Sequence, residues 1–119
     1  TLLQEYIIAD PQIIIRVEFV NSKLLYAVQV DATEGFELCP ADPCNLEEKY
    51  EKFIAANGIE IAGIEYITDK KGEIYTYDVN TNTNYNSQAE KNSEIKGMKS
   101  IAAFLKEELL LLSNIKVVA

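Results

Sequence analysis

The chain has 119 residues, enough for one domain with a modest core, and a formal net charge of −8. An acidic surface repels a phosphate backbone, so the composition argues against a nucleic-acid partner. The acidic composition does not argue against a nucleotide ligand, because a bound Mg²⁺ neutralises phosphate charge locally. The sequence contains no histidine, which removes the commonest general base and the commonest zinc ligand.

Cysteine usage and hydropathy indicate the compartment. Cys39 and Cys44 are the only thiols, and their Cys-Pro-Ala-Asp-Pro-Cys spacing fits no closed four-ligand zinc site. Whether they pair as a disulfide stays open, and their low number favours a reducing environment. No apolar run approaches the ~20 residues that span a bilayer, and no signal peptide opens the chain. We therefore expect a cytoplasmic protein with no membrane partner.

Taken in chain order, the sequence predicts strands alternating with two helices. The predicted strands are residues 2–8, 13–20, 24–30, 59–68 and 74–80, with turns at Asn21-Ser22-Lys23 and at 69–72. A first helix begins after Asn45 as N-cap and ends at Asn57-Gly58, and a second covers 93–112. Residues 35–44 and 81–92 are predicted as loops, and 115–118 as the start of another strand. This order predicts an α+β fold, a mainly antiparallel sheet packed with two helices.

Apolar spacing predicts which faces are buried. The first helix has one apolar face of Leu46, Tyr50, Phe53 and Ile54. The second has a stripe of Ile95, Met98, Ile101, Ala102, Leu105 and Leu109. In the hairpin formed by 59–68 and 74–80, the predicted core face is Ala62, Ile64, Tyr66, Tyr75, Tyr77 and Val79.

The other face of that hairpin concentrates oxygen ligands. With Lys71-Gly72 as a two-residue loop, Glu65 lies opposite Asp78, and Asn80 lies opposite Gly63, which has no side chain to obstruct a ligand. Two carboxylates ~5 Å apart repel by ~3 kcal/mol at an effective dielectric near 20. A hard cation such as Mg²⁺ or Mn²⁺ removes that repulsion. The spacing alone leaves two interpretations open, a metal site and a solvated acidic surface.

Two stretches of this hairpin, Ala62-Gly63-Ile64-Glu65-Tyr66 and Tyr77-Asp78-Val79-Asn80-Thr81-Asn82, resemble the metal-binding end of the ATP-grasp superfamily. The resemblance is strongest to the RimK-type carboxylate–amine (glutamate) ligases. It implies that Glu65, Asp78 and Asn80 are Mg²⁺ ligands. Many members carry Asp then Glu at the two acidic positions, whereas this chain carries Glu then Asp.

The beginning of the chain resembles the hinge strand of the same family, which contacts adenine. The resemblance implies nucleotide binding by Gln4, Glu5, Tyr6 and Ile7, with backbone hydrogen bonds from Glu5 and Ile7. An ordinary edge strand is the alternative. The resemblance also implies a catalytic role for Arg16, whose guanidinium suits a phosphate or acyl-phosphate. A surface salt bridge is the alternative for Arg16.

The sequence departs from the family pattern in three places. Ile14 occupies the position of an acid that holds the ribose in many members, which leaves Asp10 or Gln12 as substitutes. The stretch Phe36-Glu37-Leu38-Cys39 lacks the arginine and asparagine that relatives place near the phosphates. Residues 81–84 replace a Ser-x-Pro-Gly turn. The family's N-terminal subdomain and its phosphate-binding lysines are also absent from these 119 residues.

The resemblance implies that residues 1–112 are the C-terminal ATP-grasp subdomain of a longer chain, with 113–119 as a tail or the start of the next element. The expected enzyme is an ATP- and Mg²⁺-dependent ligase that joins a small-molecule or peptide carboxylate to an amine through an acyl-phosphate. Its expected partners are ATP, these substrates and the N-terminal subdomain. The isolated chain is then inactive. The alternatives are a non-catalytic nucleotide-binding or interaction module on the same fold, and a complete small binding domain.

Overall fold

The computed structural model describes residues 1–31, 35–38 and 46–118. Within these ranges, five strands and two helices follow one another. The strands are β1 (Ile13–Val20), β2 (Lys23–Asp31), β3 (Gly35–Leu38), β4 (Ile61–Thr68) and β5 (Ile74–Asn80). The helices are α1 (Leu46–Ala56) and α2 (Gly97–Val118).

The five strands form one antiparallel sheet in the order β3-β2-β1-β4-β5. The predicted α+β class is therefore confirmed, and the predicted bounds of β1 and β5 agree with the structure. The β1–β2 hairpin turns through Asn21 and Ser22, whose φ angles of 55° and 56° are those of a two-residue type I′ turn. Lys23, predicted in the turn, begins β2.

One face of the sheet packs against α1 and forms the core. Its buried members are Val17, Phe19, Tyr50, Ile54, Ala62, Ile64 and Tyr66. The rings of Phe19 and Tyr50 meet edge to face with centroids 6.4 Å apart. Tyr50 and Ile54 of the predicted helix face are buried, whereas Phe53 is 45% exposed because it lies at the margin of that face.

The end of α1 follows from the predicted Asn57-Gly58 stop. Gly58 has a φ of +65°, and the amides of Gly58 and Ile59 donate to the carbonyls of Ala55 and Ile54. These two bonds form a Schellman motif, which satisfies carbonyls that the helix leaves free. The predicted N-cap Asn45, like Cys39 and Cys44, lies outside the described residues.

The β4–β5 hairpin differs from the prediction at its turn. Its loop has three residues, Lys70-Lys71-Gly72, and Gly72 has a φ of +82°. The amide of Asp69 donates a hydrogen bond to the carbonyl of Glu73 and closes the loop. A bulge beyond Glu65 then leaves Tyr77 without an opposite residue, so the register returns to Glu65↔Asp78 and Gly63↔Asn80. The predicted pairing at the site is confirmed, although the predicted two-residue loop is wrong.

The bulge also changes which side chains face the core. Tyr75 and Tyr77, predicted on the core face, lie on the opposite face, and the Tyr77 hydroxyl donates to Glu65. Thr76 takes their place on the core side, where its hydroxyl lies 2.6 Å from the Tyr50 hydroxyl. A single extra residue in one strand shifts the alternation of all residues beyond it.

Three further predictions were wrong. Residues 2–8 form no strand, because no described strand pairs with them, and their large apolar side chains are mostly exposed. Residues 35–38, predicted as loop, form β3 because they pair with β2. Residues 115–118, predicted as a strand, belong to α2.

Helix α2 begins at Gly97 rather than at Ser93, and its predicted apolar stripe is largely exposed. Met98, Leu105 and Leu109 all face solvent, and the large apolar residue that α2 buries among its described side chains is Phe104. The periodicity locates the apolar side of a helix but not the surface that covers it. Neither described helix has both the length and the apolar composition needed to cross a bilayer.

Gly72 sets the hairpin that carries the site, so its substitution is a test of the loop. A Cβ on Gly72 meets no atom within 4 Å, and the cost of Gly72→Ala is therefore purely the left-handed backbone. We expect a loss of about 1–2 kcal/mol in the free energy of unfolding, measured by urea denaturation. Lys71→Ala, in the same loop, should change it by less than about 0.5 kcal/mol. Equal effects would contradict the described loop.

Candidate functional site

The sheet face opposite α1, here called the site face, carries two rows of polar residues across β1, β4 and β5. In the first row, Arg16 lies opposite Glu65, and Glu65 lies opposite Asp78. In the second row, Gly63 lies between Glu18 and Asn80. The structure therefore brings the four residues predicted from the hairpin and β1, namely Arg16, Glu65, Asp78 and Asn80, onto one face.

Glu65 is the most heavily engaged of these side chains. Its Oε1 accepts a 2.7 Å hydrogen bond from Arg16 Nε and a second from the same guanidinium. Its Oε2 accepts a 2.8 Å hydrogen bond from the Tyr77 hydroxyl. Burial and this hydrogen bond raise the pKa of Tyr77, so its hydroxyl remains a donor. Arg16 was predicted either to bind a phosphate or to form a salt bridge. The structure shows an ion pair, and its partner Glu65 is itself a predicted site residue.

Asp78 is half-buried, and Asn80 is exposed. The Asn80 Oδ1 accepts a 2.8 Å hydrogen bond from the amide of Asn82, which orders the start of the following loop. The predicted clear space over Gly63 is wrong. A Cβ there would lie 3.0 Å from Glu18 Oε2 and 3.0 Å from Thr83 Oγ1, so the absent side chain makes room for these two residues rather than for a ligand.

Glu18, which was not among the predicted site residues, also lies on the site face and is only 1% exposed. The Thr83 hydroxyl contacts both of its carboxylate oxygens, at 2.8 and 2.9 Å. Burial raises the pKa of Glu18 to about 7, and the Thr83 hydrogen bond and Arg16 oppose that shift only in part. The sequence does contain a signal for Glu18, namely an acid between Val17 and Phe19 in a strongly apolar strand. The surroundings of this acid, however, depend on the pairing of β1 with β4.

A cavity of about 240 Å³, here called the Glu18 cavity, opens beside this carboxyl group. It is lined by Arg16, Glu18, Tyr26, Val28, Val30, Asn84, Tyr85 and Asn86. The Tyr85 hydroxyl is buried and has no hydrogen-bond partner among the described residues. The Tyr26 hydroxyl donates to Glu90, whose Oε1 also accepts the amide of Gly97 at the start of α2. The predicted loop 81–92 thus supplies one wall of the Glu18 cavity.

A second cavity, of about 490 Å³, lies at the other end of the hairpin and is here called the hinge cavity. It is lined by Gln4, Glu5, Tyr6, Ile7, Ile67, Tyr75, Thr76 and Tyr77. The structure therefore places the predicted nucleotide-binding segment against β5, although that segment is not a strand. Tyr77 connects this cavity to the polar rows through its hydrogen bond to Glu65.

The donor set of Glu65, Asp78 and Asn80 suits a hard cation. It provides two carboxylates and one amide oxygen, and a Mg²⁺ ion commonly takes one or two carboxylates and completes its shell with phosphate and water. The described residues contain no group of three or more Asp, Glu or Cys side chains placed to hold a metal by themselves. The donor types therefore fit a hard cation that completes its shell with water or phosphate.

The fold resembles that of several solved structures, although the sequence itself has no match. No protein-family model matches the sequence, and no curated protein matches it. Among solved structures, the ATP-grasp ligase PsnB, complexed with a phosphomimetic variant of minimal precursor, Mg and ADP, superposes with a TM-score of 0.70 at 13% identity over 89% of this chain. The macrocyclase MdnB from Microcystis aeruginosa MRC superposes with a TM-score of 0.68 at 21% identity over 87% of this chain.

A third structure, the macrocyclase MdnC from Microcystis aeruginosa MRC bound with precursor peptide MdnA, gives a TM-score of 0.65 at 13% identity over 84% of this chain. The match spans 34%, 40% and 31% of PsnB, MdnB and MdnC, respectively. At these identities the likeness shows the fold. The chain has the fold of about a third of an ATP-grasp ligase.

The buried Glu18 carboxyl group predicts a pH dependence of stability. Its pKa rises from 4.5 in the unfolded chain to about 7 in the folded one, so the folded state holds the proton more tightly. Stability is therefore lost as the pH rises from about 4.5 to about 7, by about 2–3 kcal/mol. Glu18→Gln should remove this loss. In urea denaturation at about pH 5 and about pH 8, the variant should gain that amount relative to the natural chain at the higher pH.

Glu107→Gln is the matched control, because Glu107 is an exposed acid on α2. It should leave the difference between the two pH values unchanged. A Glu18→Gln chain that keeps the natural pH dependence would contradict the assigned pKa.

Proposed function

We propose that this chain is part of an ATP-dependent carboxylate–amine ligase of the ATP-grasp superfamily, of the RimK type, which forms an amide through an acyl-phosphate. One observation carries the proposal: Arg16, Glu65 and Asp78 form one row on the site face, with Asn80 beside it and the hinge cavity at its end. Cationic, anionic and amide groups thus line up next to a space that suits a nucleobase. The fold relatives support it, since they include ligases complexed with Mg and ADP.

The hinge cavity is the proposed adenine site. The backbone of Glu5 and Ile7 offers hydrogen bonds to the edge of the base, and Tyr75 and Tyr77 offer aromatic surface. Its volume of about 490 Å³ is within the range of small-molecule pockets. A base held there directs the phosphates along β5 toward Asp78 and Asn80.

Glu65, Asp78 and Asn80 are the proposed ligands of Mg²⁺. A bound Mg²⁺ would neutralise the charge that develops on the transferred phosphoryl group. Arg16 binds the phosphate or acyl-phosphate by bidentate hydrogen bonds, and its contact with Glu65 holds it at the site beforehand. None of these residues serves as a nucleophile, because phosphoryl transfer depends mainly on positioning and electrostatics.

The proposal also requires components outside these 119 residues. They are the phosphate-binding lysines, the rest of the ATP cleft, and the carboxylate and amine substrates. The chain spans only about a third of the solved ligases. It supplies one wall of the active site, with the adenine contacts and the metal ligands. Peptide substrates are among the candidates, since two relatives are complexed with precursor peptides.

One observation favours a second function, a non-catalytic nucleotide-binding or interaction module. Both oxygens of Glu65 already accept hydrogen bonds, from Arg16 and from Tyr77. In such a module the same contacts would be purely structural. Turnover in the full-length protein separates the two, because such a module would bind Mg·ATP without consuming it.

The metal assignment is tested with Mn²⁺ as a paramagnetic probe of the 119-residue chain. Added Mn²⁺ should broaden the amide resonances of Glu65, Asp78 and Asn80 first, because relaxation falls steeply with distance from the ion. Asp78→Asn removes one of two carboxylate ligands and should weaken binding about tenfold or more. The same change at an exposed acid of the same hairpin, Glu73→Gln, should not weaken it. Broadening that survives Asp78→Asn unchanged would exclude this site.

The catalytic assignment is tested in the full-length protein and in the chain alone. The chain alone should hydrolyse no ATP above background, because it holds only part of the cleft. In the full-length protein, ATP turnover measured by phosphate release should fall by about a hundredfold or more with Asp78→Asn and with Asn80→Ala. Circular dichroism should show an unchanged fold. Mg·ATP binding in calorimetry without any turnover, in the natural protein, would support the module instead.

A further inference from the structure

The Glu18 cavity contains polar groups that the proposed metal and nucleotide sites do not use. The Tyr85 hydroxyl is buried without a partner, and leaving a buried polar group unpaired costs about 1–3 kcal/mol. Glu18 accepts hydrogen bonds only from the Thr83 hydroxyl among the described residues. Both groups border a space of about 240 Å³, several times the ~30 Å³ that one water occupies in the liquid. The cavity therefore has both the room and the acceptors for a polar ligand.

The charges around the cavity select the sign of that ligand. Among the described residues that line it, Arg16 is the one cation, and its guanidinium is paired with Glu65. Glu18 has no ion-pair partner of its own among the described residues, and Glu90 lies behind Tyr26 with its carboxylate hydrogen-bonded to Tyr26 and Gly97. The uncompensated charge is negative, which favours a cation over a carboxylate or phosphate.

The available hydrogen-bond groups select an ammonium rather than a bare metal ion. An ammonium has three N–H donors, and the carboxylate of Glu18 and the oxygen of Tyr85 are acceptors on the same cavity. Val28 and Val30 add an apolar wall that suits an alkyl chain. We propose that the Glu18 cavity binds the alkylammonium group of the amine substrate, with Glu18 as its counter-charge and Tyr85 as a second acceptor.

The environment of Glu18 supports this assignment. Burial raises the pKa of Glu18 to about 7, whereas a bound ammonium would favour its carboxylate form. The groups that face Glu18 are Arg16 on its own strand, Glu65 on β4, Tyr26 on β2, and Thr83, Tyr85 and Glu90 on the segment before α2. A ligand cation would thus add to the positive charge of Arg16, which is already paired with Glu65.

The assignment of this amine as a ligase substrate rests on the proposed function, but its binding is measurable without nucleotide or metal. The probe is n-butylammonium chloride, titrated into the ¹⁵N-labelled 119-residue chain and followed by amide chemical shifts. The amides of Glu18, Tyr26 and Tyr85 should shift saturably, with a dissociation constant in about the millimolar range for so small a ligand. Sodium butyrate, with the same chain and opposite charge, should give no saturable shift at these residues.

Two variants test the named groups. Glu18→Gln should weaken n-butylammonium binding about tenfold or more, and Tyr85→Phe about threefold to tenfold, because it removes the acceptor and keeps the ring. Glu107→Gln changes the net charge by the same amount at an exposed position on α2 and should leave the affinity unchanged. Tetramethylammonium, a cation without N–H donors, should bind more weakly than n-butylammonium.

Saturable binding of butyrate as tight as that of n-butylammonium would overturn the proposal, and so would an absence of any saturable shift up to about 100 mM. Unchanged affinity in both Glu18→Gln and Tyr85→Phe would overturn it as well. Since these measurements contain no Mn²⁺ or ATP, their failure leaves the metal and nucleotide assignments standing. Conversely, a failed Mn²⁺ experiment leaves this binding site standing as an amine site without the ligase role.

Discussion

The contact between Arg16 and Glu65, across the central strand pair β1 and β4, is the interaction on which the candidate site depends. Both side chains are largely withdrawn from water, with 30% and 14% of their surface exposed. In such surroundings each charge needs the other, since the loss of either partner leaves the second unpaired in a poor solvent for ions. The pair therefore fixes the arginine above the sheet and sets the orientation of the carboxylate that faces Asp78.

The elements nearest the core could be predicted from the sequence. The β-branched run of β1 and the Asn57-Gly58 stop of α1 are local signals, because each depends only on the backbone preferences of neighbouring residues. The pairing of Glu65 with Asp78 was predicted correctly, but two deviations cancel. The loop is one residue longer than expected, and the bulge at Tyr77 removes the resulting shift. The sequence carries no clear sign of that bulge, which is why Tyr75 and Tyr77 were assigned to the wrong face.

The features that could not be predicted depend on contacts between distant parts of the chain. Glu18 lies opposite Gly63 only because β1 pairs with β4, and its cavity closes only because Thr83 and Tyr85 fold over the same face. Residues 2–8 have the composition of a strand, yet a strand also needs a neighbour to complete its hydrogen bonds. The apolar stripe of α2 likewise describes one partner of a packing interaction and not the other.

Charge balance explains why the site face is suited to cations at both ends. Arg16 is its one basic residue in the two rows, whereas Glu18, Glu65 and Asp78 are acidic. A single guanidinium cannot neutralise three carboxyl groups. The surplus negative charge lies at Asp78, near the hinge cavity, and at Glu18, beside the Glu18 cavity. At Glu18 burial raises the pKa to about 7, and Thr83 and Arg16 offset that rise only in part. This deficit of positive charge is the common physical basis of the two proposals, a metal with its phosphates beside Asp78 and an ammonium beside Glu18, with Arg16 between them.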